Sequence, residues 1–169
     1  AKFLSLGATL ILTGTDKRQV KALNASLGRR DRVTYFHLDM LDERSVERFV
    51  SAVKRCGPVD VCINNAGINR INRIDETRVD DWDDIVKVNL RGAFILSKEI
   101  GGMMARRKSG RIINIASILG VITRPKRAAY TATKAALIGL TKTTAVDLAP
   151  YNVLVNSVSP GFIVTDLTN

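Results

Sequence analysis

The stretch Ser117-Ile118-Leu119-Gly120-Val121-Ile122-Thr123-Arg124-Pro125-Lys126-Arg127-Ala128-Ala129-Tyr130-Thr131-Ala132-Thr133-Lys134 decides how this chain is read. A serine closes the apolar run 111–116, a loop with glycine and proline follows, and a helical pattern then opens with a tyrosine and a lysine four residues apart. That spacing puts Tyr130 and Lys134 on one helix face. A serine at a strand's carboxyl end meets such a face at the carboxyl edge of a parallel sheet, where open α/β folds keep their sites.

Reading outward from this stretch, helical spacing continues over 128–148, an apolar β-branched strand covers 153–158, and Pro160-Gly161 turns the chain. Upstream, 111–116 reads as a strand. A long helix is expected from residue 80 to about residue 107, carrying Trp82, Ile85, Val86, Val88, Phe94 and Ile95. Gly92 inside it costs about 1 kcal/mol against alanine and marks close packing. Residues 64–77 form a polar loop after a buried strand at 59–63. Asp42 is placed as the N-cap, with Ser45 at N3, of a helix burying Val46, Phe49, Val50 and Val53, closed by Gly57-Pro58. Before it come a strand at 33–38, a helix at 17–27 burying Val20, Leu23 and Leu27, a buried strand at 8–13, and the last turns of a helix stopped at Gly7. Strands that alternate with helices and read as continuous apolar runs predict an α/β fold. Its form is a Rossmann-like, doubly wound parallel sheet covered by helices on both faces, with residues 1–169 as one domain.

The chain has 169 residues, 46% of them hydrophobic, enough for a real core. Its formal charge is +10, spread over 29–32, 106–111 and 124–127. Aromatics are 5% of the chain and do not interleave with these clusters, which argues against a base-stacking nucleic-acid platform. Solvated surface or attraction of anionic ligands is the reading that remains. No run is long enough to span a membrane. Cys56 and Cys62 have neither disulfide-framework nor metal spacing, and no His/Cys/Asp cluster of metal-site spacing occurs; a reducing, cytoplasmic setting is expected. His37, alone in an apolar strand, is expected to be a packed residue, and Trp82 a core or interface residue.

No G-x-G-x-x-G or spaced three-glycine turn occurs in the sequence. A dinucleotide domain normally opens with a strand and such a turn, whose amides hold the pyrophosphate. The expectation is that the first strand and its turn precede residue 1, and that the domain is incomplete at both ends. An alternative of a different class is a catalytically inactive or truncated scaffold that uses the same fold for interaction.

Several separated motifs now stand in order: Asn64-Asn65-Ala66-Gly67, Asn89, Ser117, Tyr130-x-x-x-Lys134 and Pro160-Gly161. In this set the chain resembles the short-chain dehydrogenase/reductase family over essentially its whole length. It is most similar in look to 3-oxoacyl-(acyl carrier protein) reductases and related sugar or polyol dehydrogenases. The chemistry suits the residues. Alcohol–ketone interconversion needs hydride transfer at a carbonyl carbon and a proton donor for its oxygen. Tyr130 is the best donor, but an unperturbed phenol titrates near pKa ~10. Lys134, one turn along, favours the phenolate. Ser117 can orient the substrate oxygen. The resemblance implies that Lys134 also holds the nicotinamide ribose and that Asn89 supports a water relay to it.

The resemblance further implies cofactor contacts. Asp39, with Met40 beside it, takes the place of the aspartate that accepts from the adenine amino group. Asn65, Ala66 and Gly67 approach the adenosine ribose. Pro160, Gly161, Ile163 and Thr165 belong to the segment over the nicotinamide. The choice between NAD and NADP turns on Thr15 and Asp16 after the 8–13 strand. In NAD-specific relatives an acid stands where this chain has Gly14; Asp16 comes two residues later, beside Lys17 and Arg18, and also suits a helix cap. The lean is to NADP. Arg124, Lys126 and Arg127 flank the site and can steer an anionic substrate, such as a thioester or a sugar acid, or serve solubility alone. A homodimer or homotetramer through the two long helices is implied by the resemblance.

Overall fold

The computed structural model describes residues 2–28 and 32–163. Two compact units divide at residue 56/57.

In the first unit a short helix α1 (Lys2–Ser5) stops at Gly7, whose φ of 91° a side chain would oppose. The strands β1 (Leu10–Gly14) and β2 (Val33–His37) pair in parallel from Leu10↔Val33 to Gly14↔His37. Between them runs α2 (Lys17–Ala25), capped by Asp16, whose Oδ1 accepts from the amides of Arg18 at 2.7 Å and Gln19 at 3.1 Å. The cap reading of Asp16 is therefore right. Asn24 ties α2 to β2, its side-chain amide donating to Tyr35 O and accepting from Tyr35 N. The helix α3 (Glu43–Cys56) buries Val46, Phe49 and Val53, with Phe49 edge-on to Phe36 at 6.0 Å. Asp42 Oδ1 accepts from Arg44 N at its start.

Two expectations fail here. The 8–13 strand is not buried: no residue of β1 is, and Leu12 is 38% exposed; among the described residues β1 pairs with β2 alone. The helix at 17–27 ends at Ala25 and buries Val20 alone, leaving Leu23 exposed; the Ser26 amide and hydroxyl both close back on the last turn.

In the second unit β3 (Val61–Asn64), β4 (Gly110–Ile115) and β5 (Val153–Val158) form a parallel sheet in that order. The helices α5 (Gly92–Arg106) and α6 (Ala128–Leu148) pack on it. Burial alternates along each strand. Cys62, Asn64, Ile112, Asn114, Val153 and Val155 are buried, whereas Val61, Ile63 and Leu154 point outward. The strand expected at 59–63 is thus half-exposed at the sheet's edge, not buried. The expected unbroken helix from residue 80 is α4 (Val79–Val86), a π-helical turn at Lys87–Arg91, and α5. Turns of this kind occur mostly as single interruptions, often at functional sites. Here the turn carries Asn89, 1% exposed. Helix α6 and strand β5 match the sequence reading residue for residue.

A polar ladder crosses this core. Asn64 Nδ2 donates to Asn114 Oδ1 at 2.8 Å and to Ser97 Oγ at 3.2 Å, and Asn114 Nδ2 donates to Thr141 Oγ1 at 2.9 Å. Asn64 and Asn114 are register partners on β3 and β4. Every member is bonded, as buried polar groups must be. No helix of the described residues is long and apolar enough to cross a membrane, and no group of three or more His, Cys, Asp or Glu among them could hold a metal.

Candidate active site

Ser117 follows β4 in extended backbone. Its Oγ accepts from Leu119 N at 3.1 Å and caps the 3-10 turn Ile118–Gly120. The hydroxyl hydrogen remains free to donate elsewhere. The turn lies flush on α6: a Cβ on Gly120 would sit 2.8 Å from the Lys134 carbonyl carbon and 3.0 Å from Ala135 N. The absence of a side chain at residue 120 is what lets the turn that Ser117 caps lie against the turn of α6 that carries Lys134. Backbone bonds from Ala116 N to Val158 O and from Ile118 N to Pro160 O bring the Pro160 segment alongside.

Lys134 is 3% exposed and donates from Nζ to Ile115 O at 2.7 Å. Burial lowers its pKa from 10.5 to about 8, since desolvation disfavours the ammonium. Nζ stands 5.5 Å from the centroid of the half-buried Tyr130 ring. Among the described residues the Tyr130 hydroxyl has no hydrogen-bond partner. The geometry leaves that oxygen available to a ligand.

Asn89 organises the loop beside them. Its Oδ1 accepts from Ile68 N at 2.8 Å and its Nδ2 donates to Ile68 O at 2.9 Å, with a longer contact to Thr133 Oγ1 at 3.3 Å. Thr133 in turn donates to Tyr130 O. The amide thus clamps the 65–68 loop, and a Cβ on Gly67 would lie 3.6 Å from Asn89 Oδ1 and 3.7 Å from Lys134 Nζ. The structure therefore brings Gly67, Asn89, Ser117, Tyr130, Lys134 and Pro160 into one region. Asn65 and Ala66 stand exposed on the same loop, and Gly161 and Ile163 are exposed beyond Pro160. Thr165 lies outside the described residues.

Thr15, Asp16, Asp39 and Met40 belong to the first unit. Thr15, Asp16 and Asp39 line a hollow of about 520 Å³ with Lys17, Arg18 and His37. Asp39 Oδ1 accepts from Leu41 N, and Met40 is buried. His37 is not an inert packed residue. Its Nε2–H donates to Thr15 O at 3.0 Å, and Nδ1 meets Ser45 Oγ at 3.1 Å. Ser45 Oγ also accepts from Asp39 N. Sequence reasoning missed this link, as it missed Ser97, Asn114, Thr133 and Thr141. The available signal was a lone asparagine in each of two apolar strands, Val-Cys-Ile-Asn and Ile-Ile-Asn-Ile.

The family model described as short chain dehydrogenase matches residues 1–169. The chain belongs to the short-chain dehydrogenase family. Among the chain's relatives, the 3-oxoacyl-(acyl-carrier-protein) reductase FabG of Aquifex aeolicus is 38% identical over 99% of the chain and 68% of its own length. The reductase of the same name from Staphylococcus epidermidis is 46% identical over 73% of the chain and 50% of its own length. The chain thus spans half to about two thirds of these relatives. Among solved structures, one titled ElxO with NADP bound superposes with a TM-score of 0.88 at 30% identity, covering 98% of the chain and 68% of that protein. A gluconate 5-dehydrogenase from Burkholderia cenocepacia in complex with NADP and tartrate gives 0.86 at 30% identity, over 95% and 64%. The Rossmann-like, doubly wound architecture of the short-chain dehydrogenases is that of this chain.

Proposed function

We propose that the protein transfers a hydride between a nicotinamide cofactor, NADP in preference to NAD, and a carbonyl/hydroxyl substrate. One observation carries this reading: a buried lysine ammonium beside a tyrosine whose hydroxyl is unengaged, with a serine-capped turn packed on the same helix. The residues fit such a cofactor. Gly67 leaves bare backbone next to Lys134 Nζ, which keeps N–H donors after its bond to Ile115 O and can hold ribose hydroxyls. In the first unit, Lys17 and Arg18 offer positive charge beside Asp16, which favours a 2′-phosphate. NADP in two similar solved structures supports the same preference.

When bound, the nicotinamide supplies or takes the hydride. The chain supplies the rest. Ser117 donates its hydroxyl hydrogen to the substrate oxygen and orients it. Tyr130 passes its proton to that oxygen as the carbonyl is reduced, and takes it back in the oxidative direction. The Lys134 ammonium stabilises the phenolate left behind. Asn89 holds the 65–68 loop against the lysine and so supports its relay. The adenine end falls to Thr15, Asp16, Asp39 and Met40, and the nicotinamide cover to Pro160, Gly161, Ile163 and Thr165.

The substrate class is a small carbonyl/hydroxyl compound or a thioester-linked 3-oxoacyl group, supported by the reductases among the relatives. A cytoplasmic location suits the two free cysteines. Association as a homodimer or homotetramer is supported by Phe94 and Val146, exposed on α5 and α6. The reading is tested by titrating NADP and NAD against the intact protein, then following nicotinamide oxidation with 3-oxoacyl thioesters and keto sugar acids. Tighter NADP binding and turnover of one of these classes are expected. Cofactor binding with no oxidation by any carbonyl would leave the scaffold alternative standing.

A further inference from the structure

A second hollow of about 520 Å³ lies in the second unit, between the segment 72–75 and the loop 123–128. An isolated parallel bridge, Asn72↔Arg127, joins its two walls. Three cations, Arg124, Lys126 and Arg127, line it within four residues. The basic residues of the preceding loop are matched with carboxylates: Arg70 with Asp81 at 3.5 Å, Arg73 with Asp75 at 3.0 Å, and Arg78 with Asp80 at 3.3 Å. Among the described residues no carboxylate pairs with Arg124, Lys126 or Arg127, although Asp75, held by Arg73, lines the same hollow.

These cations are also held in place. The Arg124 guanidinium stacks over the Phe162 ring at 4.1 Å, Pro125 fixes the next φ, and Lys126 sits at a φ of 64°. Ile74, Pro125 and Ala128 give the hollow apolar walls. Ala128 precedes Tyr130 by two residues, and Thr123 Oγ1 lies 3.3 Å from Thr131 Oγ1, so the loop is tied to the first turn of α6.

We infer that this hollow binds the anionic end of the substrate, an aliphatic chain that ends in a carboxylate or phosphate several carbons from the reacting carbonyl. The inference rests on the reductase reading for the carbonyl and goes beyond it in naming the remote group. Apolar walls take the chain, and the unpaired cations take the charge, which desolvated ion contacts make selective. A solvated basic surface explains the charge alone but not the apolar lining beside it.

The test is a matched pair: an aliphatic oxo acid and its methyl ester, with the corresponding oxo phosphate ester as a second anion, assayed on the intact protein. Arg124→Ala with Arg127→Ala is expected to lower the acid-to-ester ratio of kcat/KM by about tenfold or more, through KM, and to steepen no salt dependence for the ester. Arg78→Ala, a paired and exposed arginine elsewhere, leaves that ratio unchanged. Calorimetric binding of the corresponding hydroxy acid and hydroxy ester gives a readout independent of turnover. An acid preference in binding that the double variant abolishes supports the anion site even where no turnover occurs, in which case only the reductase reading falls. Equal binding of acid and ester by the unaltered protein, or equal loss of both in the double variant, overturns the anion site whatever the turnover. The relative response to carboxylate and phosphate identifies which anion the loop prefers.

Discussion

The two units solve the same problem, holding polar groups at the ends of parallel strands, in different ways. In the first, Thr15 and Asp16 are exposed and Asp39 half-buried, and the two carboxylates serve amides two or three residues away. In the second, Asn64, Asn89, Asn114 and Lys134 are buried and bonded to partners 19 to 50 residues distant in sequence. Surface groups with local partners suit a ligand gripped largely by charge and shape. Buried groups cross-linked through the core suit chemistry that needs fixed geometry and low dielectric.

That contrast is open to breaking. Asn114→Ala removes two buried hydrogen bonds and leaves a void in the core, with Asn64 Nδ2 keeping only its bond to Ser97 Oγ and Thr141 only its bond to Leu137 O, and should cost about 3 kcal/mol, read from denaturant unfolding. A loss no larger than that of a surface substitution would remove the ladder from the account. Lys134 gives a pH signature of comparable size. Its folded pKa of about 8 lies below the unfolded 10.5, so the unfolded chain binds more protons between these values and stability should rise with pH across that window, by about 3 kcal/mol. The buried Cys62 thiol, pushed up to about 11, works in the opposite sense between pH 9 and 11. Both the parent and Lys134→Met share it, so the difference between them isolates the lysine.

Gly120→Ala forces a methyl to within 3.0 Å of the α6 backbone and should cost about 2 kcal/mol while shifting Ser117, so that activity falls more than stability. Circular dichroism melts alongside kcat would show it. In the first unit, Asp16→Ala removes only a helix cap. About 1 kcal/mol is expected, with cofactor affinity little changed if the residue is purely a cap and raised for NADP if its charge opposes the phosphate. A first-unit loss as large as that of Asn114→Ala would erase the distinction between the units.

What the sequence disclosed follows the same division. Helix α6, strand β5 and the spacing of Tyr130 and Lys134 were legible because apolar periodicity and a fixed four-residue offset are local properties. The π turn around Asn89 was not, since helical spacing runs on through Val86, Val88 and Leu90 and only tertiary contact with Ile68 reveals the extra residue. The exposure of Val61 and Ile63 was hidden because an apolar run does not say whether both of its faces are covered. Asn114 carried no local signal of its partner, because Asn64 lies 50 residues away in sequence. His37 was misjudged for the same reason: its partners, Thr15 and Ser45, lie on separate elements.

The central claim is that Tyr130, seated beside the buried Lys134 ammonium, moves the proton that accompanies hydride transfer. Tyr130→Phe removes one oxygen from a hydroxyl that bonds to no described residue, so folding and cofactor binding should survive it. Single-turnover nicotinamide oxidation by the intact variant is predicted to slow by about two to four orders of magnitude, the range for loss of a general acid. Oxidation at the parent rate, with cofactor bound and the fold intact, would contradict the account.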